Sequence, residues 1–199
     1  MSQPAATAVR RPTPTVADLF ADDPIVASVK DDEGLRRVLR SDRAVVFLLY
    51  GTVLTIESIV ATLKAHGKTV FVDVDLLDGF AAREVVVRFV GERTEADGIL
   101  STKAPLVRAA NGLGLRAIHR FFLIDSLSYR NLPKQVAASR ADAVEILPGC
   151  MPRVISWLLA DVDVPIVAGG LVCDKEDVVA ALGAGAVAVA SSSTDVWEM

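Results

Sequence analysis

Eight short apolar runs recur along the chain, at 25–29, 44–50, 69–74, 98–101, 116–122, 143–147, 165–168 and 186–190, each set apart from the next by the length of one helix and its loops. They are rich in Val and Ile and apolar on both faces. A parallel strand covered on both sides reads this way, whereas a half-exposed antiparallel strand alternates. Parallel neighbours need a crossover, and the intervening segments supply it with helical periodicity. Leu54, Ile56, Ile59, Val60 and Leu63 share one face, Val154, Ile155, Leu158 and Leu159 another, and Val178, Val179 and Leu182 a third. Asp174 is placed to cap a helix whose first turn carries Glu176 and Asp177 and which Gly183 and Gly185 end, while Pro152 suits the first turn of the preceding helix. Eight strand–helix units predict a single small TIM-like (β/α)8 barrel. An open doubly wound sheet is the alternative, because alternation alone does not prove closure.

With 199 residues and 52% hydrophobic content, the chain supplies one sizeable core. It is short beside the about 250 residues usual for barrel enzymes, which leaves little for elaborated loops. Residues 24–199 form the expected barrel domain. Residues 1–23, dominated by Ala, Thr and Pro, are expected to be a flexible tail. No apolar run approaches the ~20 residues of a membrane span, and no apolar signal core opens the chain. Cys150 and Cys173 are too few and too far apart for a zinc or CxxC motif. The expectation is a cytoplasmic protein with no metal and no membrane contact.

The seventh and eighth runs end in PIVAGGL and AVAVASSS, and the loops after those strands are where barrels most often hold a phosphate. Gly169 and Gly170 either allow a tight turn or let a phosphate approach the backbone. Other strand ends carry Asp73 and Asp75, which alternation puts on one face, Ser101-Thr102-Lys103, Arg120, and Glu145 before Pro148-Gly149. Together they suit a small polyol phosphate. Arg120 and Glu145, on neighbouring strands, read equally as a buried ion pair, Asp73 and Asp75 as loop caps, and Lys103 as a helix start. His66 falls at a helix end. His119 should point away from the barrel interior, toward the helices. No Ser-His-Asp or Cys-His arrangement emerges, so no catalytic residue is assigned and a non-enzyme is expected. The competing reading is a small barrel enzyme acting on a phosphorylated polyol or sugar, with Asp73 or Asp75 as base and Lys103 or Arg120 stabilising developing charge.

Seven phrases, DDPIVASVKDDEGL, GKTVFVDVDLLDG, DGILSTK, AIHRFFLIDS, VEILPGCMP, PIVAGGLV and SSST-x-x-W, together resemble the glycerol-3-phosphate responsive antiterminators, in order and in register from Asp22 to Trp197. The resemblance implies a regulator of glycerol uptake and metabolism genes. Such a protein binds glycerol 3-phosphate as its effector, needs no cofactor, and when loaded binds leader messenger RNA so that transcription passes a terminator. Carried over, Gly169, Gly170, Ser191 and Ser192 would hold the phosphate. Asp75, Lys103, Arg120 and Glu145 would surround the glycerol end or lock the barrel. The family usually has His where this chain has Asp73, which exchanges a potential cation for an anion near the mouth.

Net charge −4 and pI ≈ 5.2 run against the electrostatic term that supplies most nucleic-acid affinity, so RNA contact calls for a local patch. Arg36, Arg40 and Arg43, with Arg37 beside them, fall at spacings that predict a basic stripe on the first helix. The bland alternative is a solvated face balanced by Asp31, Asp32 and Glu33. Aromatic residues are only 6% of the chain, so base stacking has few platforms, and phosphate contacts across a homo-oligomer are the expected mode. A sensor that keeps the ligand without binding RNA is the third reading.

Overall fold

Residues 15–199 are described by the computed structural model. All eight apolar runs are strands: β1 (Ile25–Val29), β2 (Val45–Leu48), β3 (Thr69–Asp73), β4 (Gly98–Ser101), β5 (Arg116–Phe122), β6 (Ala143–Leu147), β7 (Ile166–Gly169) and β8 (Ala188–Ser191). Each pairs in parallel with its sequence neighbour, and β8 returns to β1, with Ala27 in register with Ser191. The barrel is closed and the open-sheet alternative falls. The crossovers are α1 (Asp32–Val38), α2 (Ile56–Ala65), α3 (Glu84–Arg93), α4 (Ala104–Gly112), α5 (Ser126–Ser139), α6 (Pro152–Asp161) and α7 (Lys175–Gly183), and α8 (Thr194–Trp197) follows the last strand.

Alternation along each strand builds two apolar layers. Val26, Phe47, Phe71, Leu100, Ile118, Val167 and Ala188 fill the barrel interior, with Phe47 and Phe71 edge to face at 5.8 Å. Gly98 is needed there, because a Cβ would fall 2.6 Å from the Phe71 ring. Residues one step along, such as Val46, Val70, Val72 and Ile99, pack outward on the helices. Asp174 caps α7 by accepting from the Asp177 N–H at 2.9 Å, Pro152 opens α6, and Gly185 takes φ +104° just past α7.

Three expectations are corrected. The flexible tail does not extend over residues 15–23: a 3-10 turn at Asp18–Phe20 buries Phe20, and Val16 joins it in the inner cluster; residues 1–14 lie outside the described residues. Leu54 is 88% exposed because α2 begins only at Ile56. Val179 and Leu159 also face outward, and Ala181 takes the buried place on α7.

Candidate functional site

The inward positions at the C-terminal ends of β3, β5 and β6 are polar: Asp73, Arg120 and Glu145. All are buried and joined. Arg120 Nε donates to Glu145 Oε2 at 2.5 Å and Nη1 donates to Asp73 Oδ2. Burial pushes the Asp73 and Glu145 carboxyls upward, and the Arg120 charge offsets that only in part. Burial also works against the guanidinium, but the two carboxylates outweigh it and keep Arg120 charged. The ion-pair reading of the Arg120–Glu145 couple holds. It is a buried ion pair, with Asp73 as an unforeseen third member, and it also lines a cavity.

That cavity, about 480 Å³, opens at the mouth between β1, β7 and β8. Its floor is Arg120, Glu145 and Ser28, and its wall is the loops Gly170–Cys173 and Ser191–Ser193 with Lys30 at the rim. Several groups at the floor have no protein partner among the described residues: Arg120 Nη2, Glu145 Oε1 and the Ser28 hydroxyl. Lys30 is likewise unpaired there. One end of the cavity therefore offers a mixed donor and acceptor set, and the other a cation with small-residue loops. An asymmetric ligand with an anionic head and a hydroxylated tail fits such a pair of poles.

The wall loops are cross-tied. Ser191 points outward and its Oγ donates to the Val172 carbonyl at 2.7 Å, while the Ser193 N–H donates back to that Oγ at 3.1 Å. Trp197 Nε1 donates to the Ser191 carbonyl at 2.7 Å. Gly170 and Leu171 both take the left-handed conformation, at φ +70° and +54°. For Leu171 this costs roughly 1–2 kcal/mol, and such strain concentrates at ligand loops. Gly169 has a different duty from its neighbour: a Cβ on it would fall 2.4 Å from Glu145 Oε1, so it is the seat of that carboxylate.

Asp75 and Lys103 lie outside the cavity lining. Asp75 accepts from Ser101 Oγ at 3.0 Å and from the Thr102 N–H, Thr102 Oγ1 and Lys103 Nζ at 2.7 Å each, which ties the loop after β3 to the one after β4. Burial opposes its charge, but these donors prevail and hold the carboxyl below its ordinary value. It is a poor base. His119 points toward the helices, as expected: it packs between Ser139 Oγ and the Thr102 carbonyl, and burial lowers its pKa. His66 ends α2.

The arginine stripe is rearranged, because α1 stops at Val38 and Arg40 and Arg43 follow it on the turn into β2. Arg36 and Arg37 lie on the helix. Arg37 Nη2 pairs with Glu33 at 2.6 Å, and its Nη1 donates to Thr194 Oγ1 at 3.0 Å, immediately beyond the serine loop. Arg43 pairs with Asp23 at 2.7 Å and keeps a buried Nε without a partner. Arg37, Arg40 and Arg43 border a groove of about 600 Å³ together with Asp42, Thr194 and Glu198. Beneath that turn Lys68 Nζ donates to the Ser41 and Arg43 carbonyls. The sequence reading gave no role to Lys30 and Ser28, which line the cavity. The rule that selected Lys103, a cation just past a strand, would have found Lys30 had it been applied to the first run.

Residues 25–197 match the family model described as glycerol-3-phosphate responsive antiterminator. The chain belongs to that family. It is 46% identical over 181 residues to the Escherichia coli (strain K12) protein YgcP, itself called uncharacterized, covering 91% of this chain and 95% of the relative. The glycerol uptake operon antiterminator regulatory protein of Listeria monocytogenes superposes with a TM-score of 0.87 at 27% identity, over 90% of this chain and 97% of that one. A glycerol uptake operon antiterminator-related protein of Thermotoga maritima follows at 0.77 and 31%, over 88% and 98%. The family is a regulatory one, in line with the reading of this chain as a non-enzyme. Among the described residues, no helix is long and apolar enough to cross a membrane.

Proposed function

We propose that the chain senses glycerol 3-phosphate in the cavity at the barrel mouth and, when loaded, binds leader messenger RNA in the cytoplasm to let transcription pass a terminator. The observation that carries the ligand half is the meeting of two unlike poles in one cavity. Lys30, Gly170 and the Ser191–Ser193 loop face one end and Glu145, Arg120 and Ser28 the other. Phosphate takes the first pole, because a dianion there meets a cation and small residues. The hydroxyls take the second. Gly169 holds Glu145 in place, Ser191 braces the loop, and Asp75 with Lys103 stiffens the neighbouring rim without touching the ligand.

RNA contact falls to Arg36, Arg37, Arg40 and Arg43. The Arg37–Thr194 bond supports this assignment, since it joins the arginine groove to the loop that would hold the phosphate. The contacts would be to RNA phosphates, across a homo-oligomer, and their number should appear in the salt dependence of binding. The saturated carboxyl of Asp75 and the ion-paired one of Asp73 speak against the enzyme reading.

Calorimetric titration with glycerol 3-phosphate, glycerol and inorganic phosphate tests the ligand half: the whole should bind far more tightly than either part. Filter binding of leader RNA, with and without glycerol 3-phosphate, tests the other half. Ligand affinity without RNA affinity at any salt concentration would reduce the function to sensing.

A further inference from the structure

The floor of the cavity carries more negative than positive charge. Asp73 and Glu145 are two carboxylates on one guanidinium, −2 against +1, so the ionised triad is −1. No second cation pairs with it among the described residues: Lys103 is taken by Asp75, and Lys30 stands at the rim. Arg120 still presents Nη2 as a donor, but its charge is over-neutralised. Glu145 Oε1, seated on Gly169, is an open acceptor. A hydroxyl suits this floor, since it donates to Glu145 and accepts from Arg120. A carboxylate only accepts, and it brings a charge beside two of its own sign.

We infer that Asp73, a positioning residue acting through Arg120, makes the site select phosphorylated ligands whose far end is a neutral hydroxyl and reject those whose far end is a carboxylate. The inference rests on the reading of this cavity as the glycerol 3-phosphate site. With Asp73 neutral, the Arg120–Glu145 pair balances and Nη2 becomes a usable partner for a ligand carboxylate. Asparagine at position 73 keeps the shape and a carbonyl acceptor for Arg120 Nη1 while removing the charge.

The test is titration of the protein and of Asp73→Asn with glycerol 3-phosphate and with 3-phosphoglycerate, which differs by a carboxylate at the far end. The unaltered protein should prefer glycerol 3-phosphate strongly. In Asp73→Asn the affinity ratio should shrink about tenfold or more, the effect of a unit charge several ångströms away. A merely structural role would weaken both ligands together and leave the ratio alone. Should Asp73→Asn fail to fold by circular dichroism, Glu145→Gln makes the same charge change from the other side of Arg120 and should move the ratio in the same direction. Equal affinity of the unaltered protein for both ligands, or an unchanged ratio in a folded variant, overturns the inference while leaving the site in place. No binding of glycerol 3-phosphate at all would overturn the site and this inference together.

Discussion

Gly169→Ala tests how the floor is built. The backbone there tolerates alanine, because Gly169 is not among the residues with positive φ. The obstacle is Glu145, whose Oε1 would lie 2.4 Å from the new Cβ, where ordinary contact begins at 3.4 Å. The carboxylate must retreat by about 1 Å, which stretches its 2.5 Å bond from Arg120 to the limit of a hydrogen bond. Breaking a buried pair outright costs about 3–5 kcal/mol. Arg120 keeps Asp73, so a loss of about 2–3 kcal/mol is the better figure, close to a charged hydrogen bond. Against it, alanine stabilises by about 0.4–1 kcal/mol through a less flexible unfolded chain. The net loss is about 1–2 kcal/mol, which for a urea slope near 2 kcal/mol/M lowers the unfolding midpoint by about 0.5–1 M. Glycerol 3-phosphate affinity should fall with it, since the hydroxyl acceptor has moved. A midpoint equal to or above that of the unaltered protein would refute the seating of Glu145 on Gly169.

Lys30→Ala should weaken glycerol 3-phosphate binding about tenfold or more and leave the urea midpoint unchanged, since the exposed side chain has no protein partner to lose; unchanged affinity would remove Lys30 from the phosphate pole. Cys173 lines the cavity and Cys150 does not, although both are exposed. Saturating glycerol 3-phosphate should therefore slow alkylation of Cys173 and spare the rate at Cys150, as read by peptide mass spectrometry; equal rates with and without ligand would place the ligand elsewhere. His119 is held neutral by burial, so its folded pKa lies below the unfolded value near 6.5. The unfolded chain then takes up the proton first: the stability His119 contributes is intact above about 6.5 and falls as pH drops toward the folded pKa. The urea midpoint should decline across that window, and His119→Gln should flatten the decline. An identical slope in the variant would show that other groups carry it.

The fold was legible because a closed parallel barrel writes itself into sequence as apolar runs at one spacing, and each run became a strand. Where faces were misjudged, as for Leu54 and Val179, the cause was a helix start or a competing alanine that hydrophobicity alone does not rank. The lining of the mouth cavity was half legible. Arg120 and Glu145 were found together because both sit at inward strand-end positions, and Gly170, Ser191 and Ser192 because small loops follow β7 and β8. Asp75 misled, since alternation was extended beyond the end of β3, where the chain had already left the strand. The arginine spacing misled for the same reason: i, i+4, i+7 counts hold only while the helix lasts, and α1 ends at Val38. Ser28 and Lys30 went unseen because the first run was read for its core and not for its end.

The bonds that knit the Val172, Ser191, Ser193 and Trp197 groups together make the loops after β7 and β8 a finished mould for the phosphate proposed there. A ligand entering it has little to rearrange, so its binding energy is not spent on ordering loops. What the cradle passes outward has to run through the Thr194–Arg37 hydrogen bond and not through charge, because the field of a phosphate dianion at the rim would lower the positive potential of the arginine groove and oppose an RNA phosphate.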